Sequence, residues 1–219
     1  MSMQSFNLNR LSRFFSRFVC ATSGQTSDTV IFSNYYSRRR GNDIRSIAKI
    51  WQVARATSAA SSFFEAIQIG NAVFKDGGTG ANNPIQQVWN EATDVFGDYD
   101  PTWKLEDNLK CLVSIGTGTP LLTAFGDSLK DVGKALIAIS TNSEQVANQF
   151  QQQHTQLFRQ PGRLAFRFNV IQGLEQVGLE DKDKISLIEE ATRRYISSED
   201  VFMILEACAA IMRSGVCKS

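Results

Sequence analysis

Asp76-Gly77-Gly78 is the segment of this 219-residue chain best placed to do chemistry. An acid that closes an apolar strand (72–75) and precedes two glycines has its carboxylate at the rim of a sheet. There loops gather, and backbone without side chains lets a ligand come close. Asp and Gly are also what turns need, so the same three residues read equally as a plain turn. Gly116-Thr117-Gly118, after the apolar run 110–115, invites phosphate binding. It lacks both the G-x-G-x-x-G spacing and the Lys-Ser/Thr of a P-loop, and a strand-to-loop turn is the better reading. His154 is the one histidine, so a Ser-His-Asp triad would have to use it and a multi-histidine metal site is excluded. It follows a run of Gln with no acid nearby in sequence and reads as an exposed surface histidine. Cys20, Cys111, Cys208 and Cys217 contain no C-x-x-C, which fits a reduced thiol pool better than a zinc ribbon or disulfide scaffold.

The elements that must position these residues alternate between strands and helices. Segments 17–22 and 29–35 are rich in β-branched and aromatic residues, and the polar stretch 23–28 between them reads as a turn. Arg38-Arg39-Arg40-Gly41 is expected as a solvated loop, with phosphate-headgroup contact only weakly signalled. Asn42 or Asp43 would cap a helix over 44–54, with Ile47, Ile50, Trp51 and Ala54 as its buried stripe. After the strand 72–75, Asn82, Asn83 and Pro84 open a helix running to about Val95. A buried strand 110–115, a long polar helix 128–153 and a strand 164–170 follow. Helices over 182–195 and 198–213 close the chain, with Ser198 as cap and Gly215 as stop. This alternation predicts one α/β layered domain with a largely parallel sheet, no repeat and no second domain.

Composition is that of a globular protein, with 42% hydrophobic and 21% charged residues. Net charge is +1, yet residues 1–50 carry eight Lys/Arg against two acids, a basic head able to attract an anionic surface. In that head Arg10, Arg13 and Arg17 share one helical face and Leu11, Phe14 and Phe18 another. The pattern resembles a targeting segment but reads better as a basic terminus running into the first strand. No stretch approaches the roughly 20 apolar residues of a membrane helix.

Taken together, these segments resemble a known family. Arg55-Ala56-Thr57-Ser58-Ala59-Ala60-Ser61-Ser62-Phe63-Phe64 is similar to the A-R-A-T-S-A-A-x-x-F/Y-F signature of patatin-like phospholipases. Asp76-Gly77-Gly78, Asn82-Asn83-Pro84 and Ser114-Ile115-Gly116-Thr117-Gly118 follow in order and register. Phe166-Arg167-Phe168-Asn169-Val170, with Gln172-Gly173-Leu174 and Gly178-Leu179, resembles the close of the domain in the fungal branch. The resemblance implies a three-layer α/β/α fold, here partial, with residues 17–215 as its C-terminal part and 1–16 as a basic segment outside the family. It implies a lipid acyl hydrolase acting on phospholipid or acylglycerol esters through a Ser-Asp dyad. No cofactor, metal or nucleic-acid partner is expected, and the reduced thiols and the basic head fit a cytoplasmic place with peripheral contact to anionic membrane. Asp76 maps onto the aspartate that takes the serine's proton, with Gly77 and Gly78 completing its motif.

One departure bears on activity. No G-x-S-x-G occurs in the 219 residues, and the first glycine is Gly24, so neither the nucleophile elbow nor the glycine-rich oxyanion loop is found. Ser58 and Ser114 lie in other motifs, so the nucleophile is none of the residues present. The expectation is an incomplete or inactive hydrolase with an unpaired sheet edge and an exposed apolar face. The alternative is a non-catalytic lipid- or membrane-binding module. Nucleotide binding through Gly116–Gly118 ranks last.

Overall fold

The computed structural model describes residues 16–37, 40, 43–60, 63–97, 100, 102–118, 130–175, 177–178 and 181–214. The expectations for Arg10, Arg13, Leu11 and Phe14, for Arg38, Arg39, Gly41 and Asn42, and for Gly215 fall outside those residues. The chain divides into two compact units, Met1–Asp100 and Pro101–Ser219.

In the first unit, β1 (Phe18–Ser23) and β2 (Thr29–Ser33) form a hairpin, as the aromatic and β-branched pattern predicts. Its turn needs a left-handed residue, which Ser27 supplies at φ 62°. β3 (Ile67–Ile69) and β4 (Ala72–Asp76) form a second hairpin around Gly70, at φ 60°, and Asn71. The sheet order is β2-β1-β4-β3, and all three pairings are antiparallel. The expected largely parallel sheet is therefore corrected here. Both neighbours in sequence are joined by tight turns, and a tight turn can only reverse a strand.

The expected helix over 44–54 is instead two, α1 (Asp43–Ile47) and α2 (Ile50–Thr57). Lys49 between them is extended (φ −87°, ψ 151°), and its N–H donates to Gln52 Oε1 at 2.9 Å, which starts α2 afresh. The predicted buried stripe is also corrected. Ile47, Ile50 and Trp51 are 55%, 46% and 61% exposed, while Ala56 is the residue α2 buries. α2 lies on β1, β4 and β3 through Val53 and Ala56, over a core of Ala21, Phe32, Ile69 and Phe74. Phe32 and Phe74 meet edge to face at 5.1 Å.

The short α3 (Gly78–Ala81) and α4 (Ile85–Phe96) complete this unit. Asn83 Oδ1 accepts the Ile85 N–H at the start of α4, as its position before Pro84 predicts. From α4 the buried Glu91 accepts a hydrogen bond from Tyr35 Oη at 2.6 Å and pairs with Arg40. Arg40 also donates to Ile31 O and to Ser33 Oγ, so it is a clamp on β2 rather than part of a solvated loop.

The second unit opens with α5 (Leu105–Asn108) and β5 (Leu112–Ile115). β5 pairs in parallel with β6 (Ala165–Phe168), in the register Leu112↔Ala165 to Ile115↔Phe168. Parallel neighbours need a long crossover, and the 24-residue helix α6 (Lys130–Gln153) lies within it. α7 (Ile185–Ile196) and α8 (Glu199–Ser214) pack on each other, and Phe150, Leu157, Phe166, Leu174 and Ala191 are buried. Mixed α/β structure with a parallel pair thus stands. Among the described residues, no helix is long and apolar enough to cross a membrane.

Candidate functional site

The D-G-G segment sits where β4 ends, and the residues of the A-R-A-T-S-A-A stretch hold it there. Arg55 reaches from α2 to donate to Glu65 O at 2.6 Å, and its guanidinium lies 5.2 Å from the centre of the Phe64 ring. The chain leaving the helix is thereby turned back toward β3. Thr57 Oγ1 donates to Cys20 O in β1 at 2.7 Å. Ala59, 1% exposed, offers its carbonyl to the Asp76 N–H at 3.0 Å. Only a small side chain lets this backbone lie so close to the end of β4. Ser58, between them, is exposed at the C-terminal cap of α2.

Asp76 is held at three points. Its N–H is bound to Ala59, its carbonyl accepts Thr22 Oγ1 at 2.8 Å, and its Oδ1 accepts the Gly78 N–H at 2.6 Å. The side chain is half-buried at the rim of the antiparallel sheet, opposite Ala21 in register. Gly77 is buried against β1, where an added Cβ would lie 2.3 Å from Cys20 O. At Gly78 an added Cβ would lie 2.9 Å from Asp76 Oδ1. Gly77 is therefore required by close approach to backbone, whereas a side chain at Gly78 would displace the Asp76 carboxylate; neither glycine has a positive φ. A carboxylate fixed in this way can accept a proton from a hydroxyl brought to it, which is the task of a general base.

The Gly116-Thr117-Gly118 turn has a different content. Gly118 N–H donates to Asn169 Oδ1 at 2.7 Å, and Gly116 N–H to Phe168 O at 2.8 Å. A Cβ at Gly116 would lie 2.3 Å from Asn169 Oδ1, and Gly118 has φ 98°. The close-packing turn read from sequence is what forms. Ser114 Oγ accepts Arg167 Nη1 at 2.9 Å, and Arg167 Nη2 binds Glu144 Oε1 at 2.6 Å. Asn169 Nδ2 donates to the same Glu144 oxygen at 3.0 Å. The Phe166–Asn169 motif thus supplies a polar network around the β5 turn.

His154 is not the exposed residue its polar helix predicts. Its ring lies 4.5 Å from that of Phe150, and Nδ1 is 3.7 Å from Glu106 Oε1. Burial lowers its pKa, and the Glu106 carboxylate partly opposes the shift. Glu106 was invisible from sequence because it is 48 residues away.

No protein-family model matches the chain. Calcium-independent phospholipase A2-gamma of Rattus norvegicus is 28% identical over 188 residues, covering 81% of this chain and 22% of the relative. The protein of the same name from Mus musculus gives the same figures. That of Homo sapiens is 37% identical over 70 residues, 32% of this chain and 8% of the relative. The chain spans about a fifth of the length of the rodent relatives it matches. These similarities support the patatin-like phospholipase family, a family of lipid hydrolases, as the one this chain resembles.

Proposed function

We propose that the chain contributes the aspartate of a Ser-Asp dyad to a patatin-like hydrolysis of phospholipid or acylglycerol esters. On this reading residues 17–215 are the C-terminal part of such a domain, with the motifs of its fungal branch. Asp76 is the general base, and Gly77 and Gly78 bring the backbone close to it. The carrying observation is that the A-R-A-T-S-A-A and D-G-G motifs, some 20 residues apart, meet through the Ala59 O to Asp76 N–H bond. No G-x-S-x-G occurs in these residues, so the nucleophile must be supplied from outside them. In the reaction a serine hydroxyl would attack the ester carbonyl while Asp76 takes its proton. The alcohol portion leaves with that proton, and water then releases the fatty acid from the acyl-enzyme.

The test is a polypeptide in which this chain follows a G-x-S-x-G elbow and a glycine-rich oxyanion loop, assayed for fatty-acid release from phosphatidylcholine vesicles. Asp76→Asn should lower kcat by about 10³-fold or more with the melting temperature unchanged. Unaltered turnover in that variant would overturn the assignment.

A second reading, a non-catalytic lipid-binding module, is favoured by the surface of α1 and α2. Ile47, Ile50, Trp51, Phe63 and Phe64 are all at least 40% exposed. Lys49 stands between α1 and α2, and Arg55 lies against the Phe64 ring. Exposed aromatics beside cations suit an anionic lipid interface. The 219-residue chain should then bind phosphatidylserine vesicles at low salt and lose most of that binding by about 0.5 M salt. Trp51→Ser should weaken it severalfold. Equal binding to neutral vesicles at all salt concentrations would contradict this reading.

A further inference from the structure

The second unit holds two thiols that the proposed chemistry does not use. Cys111 is half-buried, immediately before β5, and Cys208 is 4% exposed on α8. Their Sγ atoms are 4.0 Å apart across 97 positions of chain, and Met212 Sδ lies 4.0 Å from Cys208 Sγ. A disulfide needs a sulfur separation of about 2 Å, so each sulfur has to move by only about 1 Å. That distance lies within the reach of small side-chain rotations.

We propose that Cys111 and Cys208 form an oxidisable dithiol site, closed to an intrachain disulfide by a low-molecular-weight disulfide such as oxidised glutathione. Cys111 is the point of entry because it is the more exposed of the two. Its thiolate attacks one sulfur of the small disulfide and expels the other as a thiolate, which takes up a proton as a free thiol. The product is a mixed disulfide on Cys111. Cys208 is too enclosed to meet a bulky oxidant, but it faces that new bond. Its thiol loses a proton, its sulfur attacks Cys111 Sγ, and the second small thiol departs. Two protein thiols are oxidised by two electrons, and one small disulfide is reduced to two thiols.

The site is slow near neutrality, because thiolate is scarce there. Partial burial, followed by the neighbouring Cys208, pushes the Cys111 thiol up to about 11. The closing rate should therefore rise about tenfold per pH unit between pH 7 and 9. Closure would tie the start of β5 to α8, the helix packed on α7, and so fix this part of the unit to its parallel strands.

The experiment treats the folded 219-residue chain with excess oxidised glutathione at pH 8.5. It is then alkylated in denaturant and its peptides are mapped without reduction. The expected result is one linked peptide pair, Cys111 to Cys208, released by dithiothreitol, with neither thiol of the pair alkylated and any glutathione on Cys217 mapped separately. Cys208→Ala should stop at a glutathione adduct on Cys111, and Cys111→Ala should leave Cys208 alkylatable. The wild-type map alone decides the matter if either variant folds poorly. Both thiols still free after exhaustive exposure, a persistent adduct on Cys111, or a link to Cys20 or Cys217 would each overturn the proposal.

Discussion

Gly77→Ala should destabilise the first unit by about 3 kcal/mol, read as a melting temperature lowered by roughly 10 °C or more. The added methyl would lie 2.3 Å from Cys20 O and 2.6 Å from Cys20 C. Neither atom can move cheaply. Cys20 sits in β1, paired with Ile31 in β2, and its carbonyl also accepts Thr57 Oγ1. Relief would have to come from β4 drawing away from β1, which loosens the Thr22 bond that holds Asp76. Gly80→Ala is the control, since its Cβ would meet only the Thr29 hydroxyl at 3.0 Å. A rotating side chain can give way there, and the change should be within about 0.5 kcal/mol. Equal stability of the two variants would show that the close contact at Gly77 does not govern the D-G-G geometry.

Glu91→Ala should cost a comparable amount, about 3 kcal/mol, because one truncation strands two partners. Arg40, whose side chain is 26% exposed, loses its carboxylate, and Tyr35 Oη loses the acceptor 2.6 Å away. Burial, reinforced by the bond to Glu91, already pushes the Tyr35 hydroxyl well above its ordinary range, so ionisation offers it no escape. Tyr35→Phe removes one hydrogen bond and leaves the ion pair, and it should cost about 1 kcal/mol. Urea unfolding of the three proteins checks the order. A Glu91→Ala variant no less stable than Tyr35→Phe would mean that Arg40 finds water instead.

Most elements were legible because their signals are local. The β1–β2 turn announces itself in Ser23–Asp28, and the Asn83-Pro84 start of α4 carries its own capping residues. β3 is legible too. Ile67-Gln68-Ile69 alternates and is followed by Gly70-Asn71, a two-residue hairpin turn. That turn specifies an antiparallel pair, as β3 and β4 form. The buried stripe of α2 failed for another reason. Periodicity reports that a helix has an apolar face, but not which residues of that face meet the sheet, and here Ala56 and Val53 do so while Trp51 does not. At the candidate site the sequence pointed to Asp76 and its glycines. It could not reveal that Ala59 and Thr22 hold Asp76, or that Thr57 binds the Cys20 carbonyl against which Gly77 packs, because those bonds join residues 17 to 54 positions apart.

The wiring of β4 also has a consequence in time. The two hairpins of the first unit close over a handful of residues and should form within microseconds, each independently of the other. The β1–β4 pairing joins Ala21 to Asp76 and must close a far longer loop before any contact offsets the lost chain entropy. Asp76 therefore gains its surroundings only at that late docking step. The order of closure thus follows the spacing of the paired residues, with the Asp76 register set last.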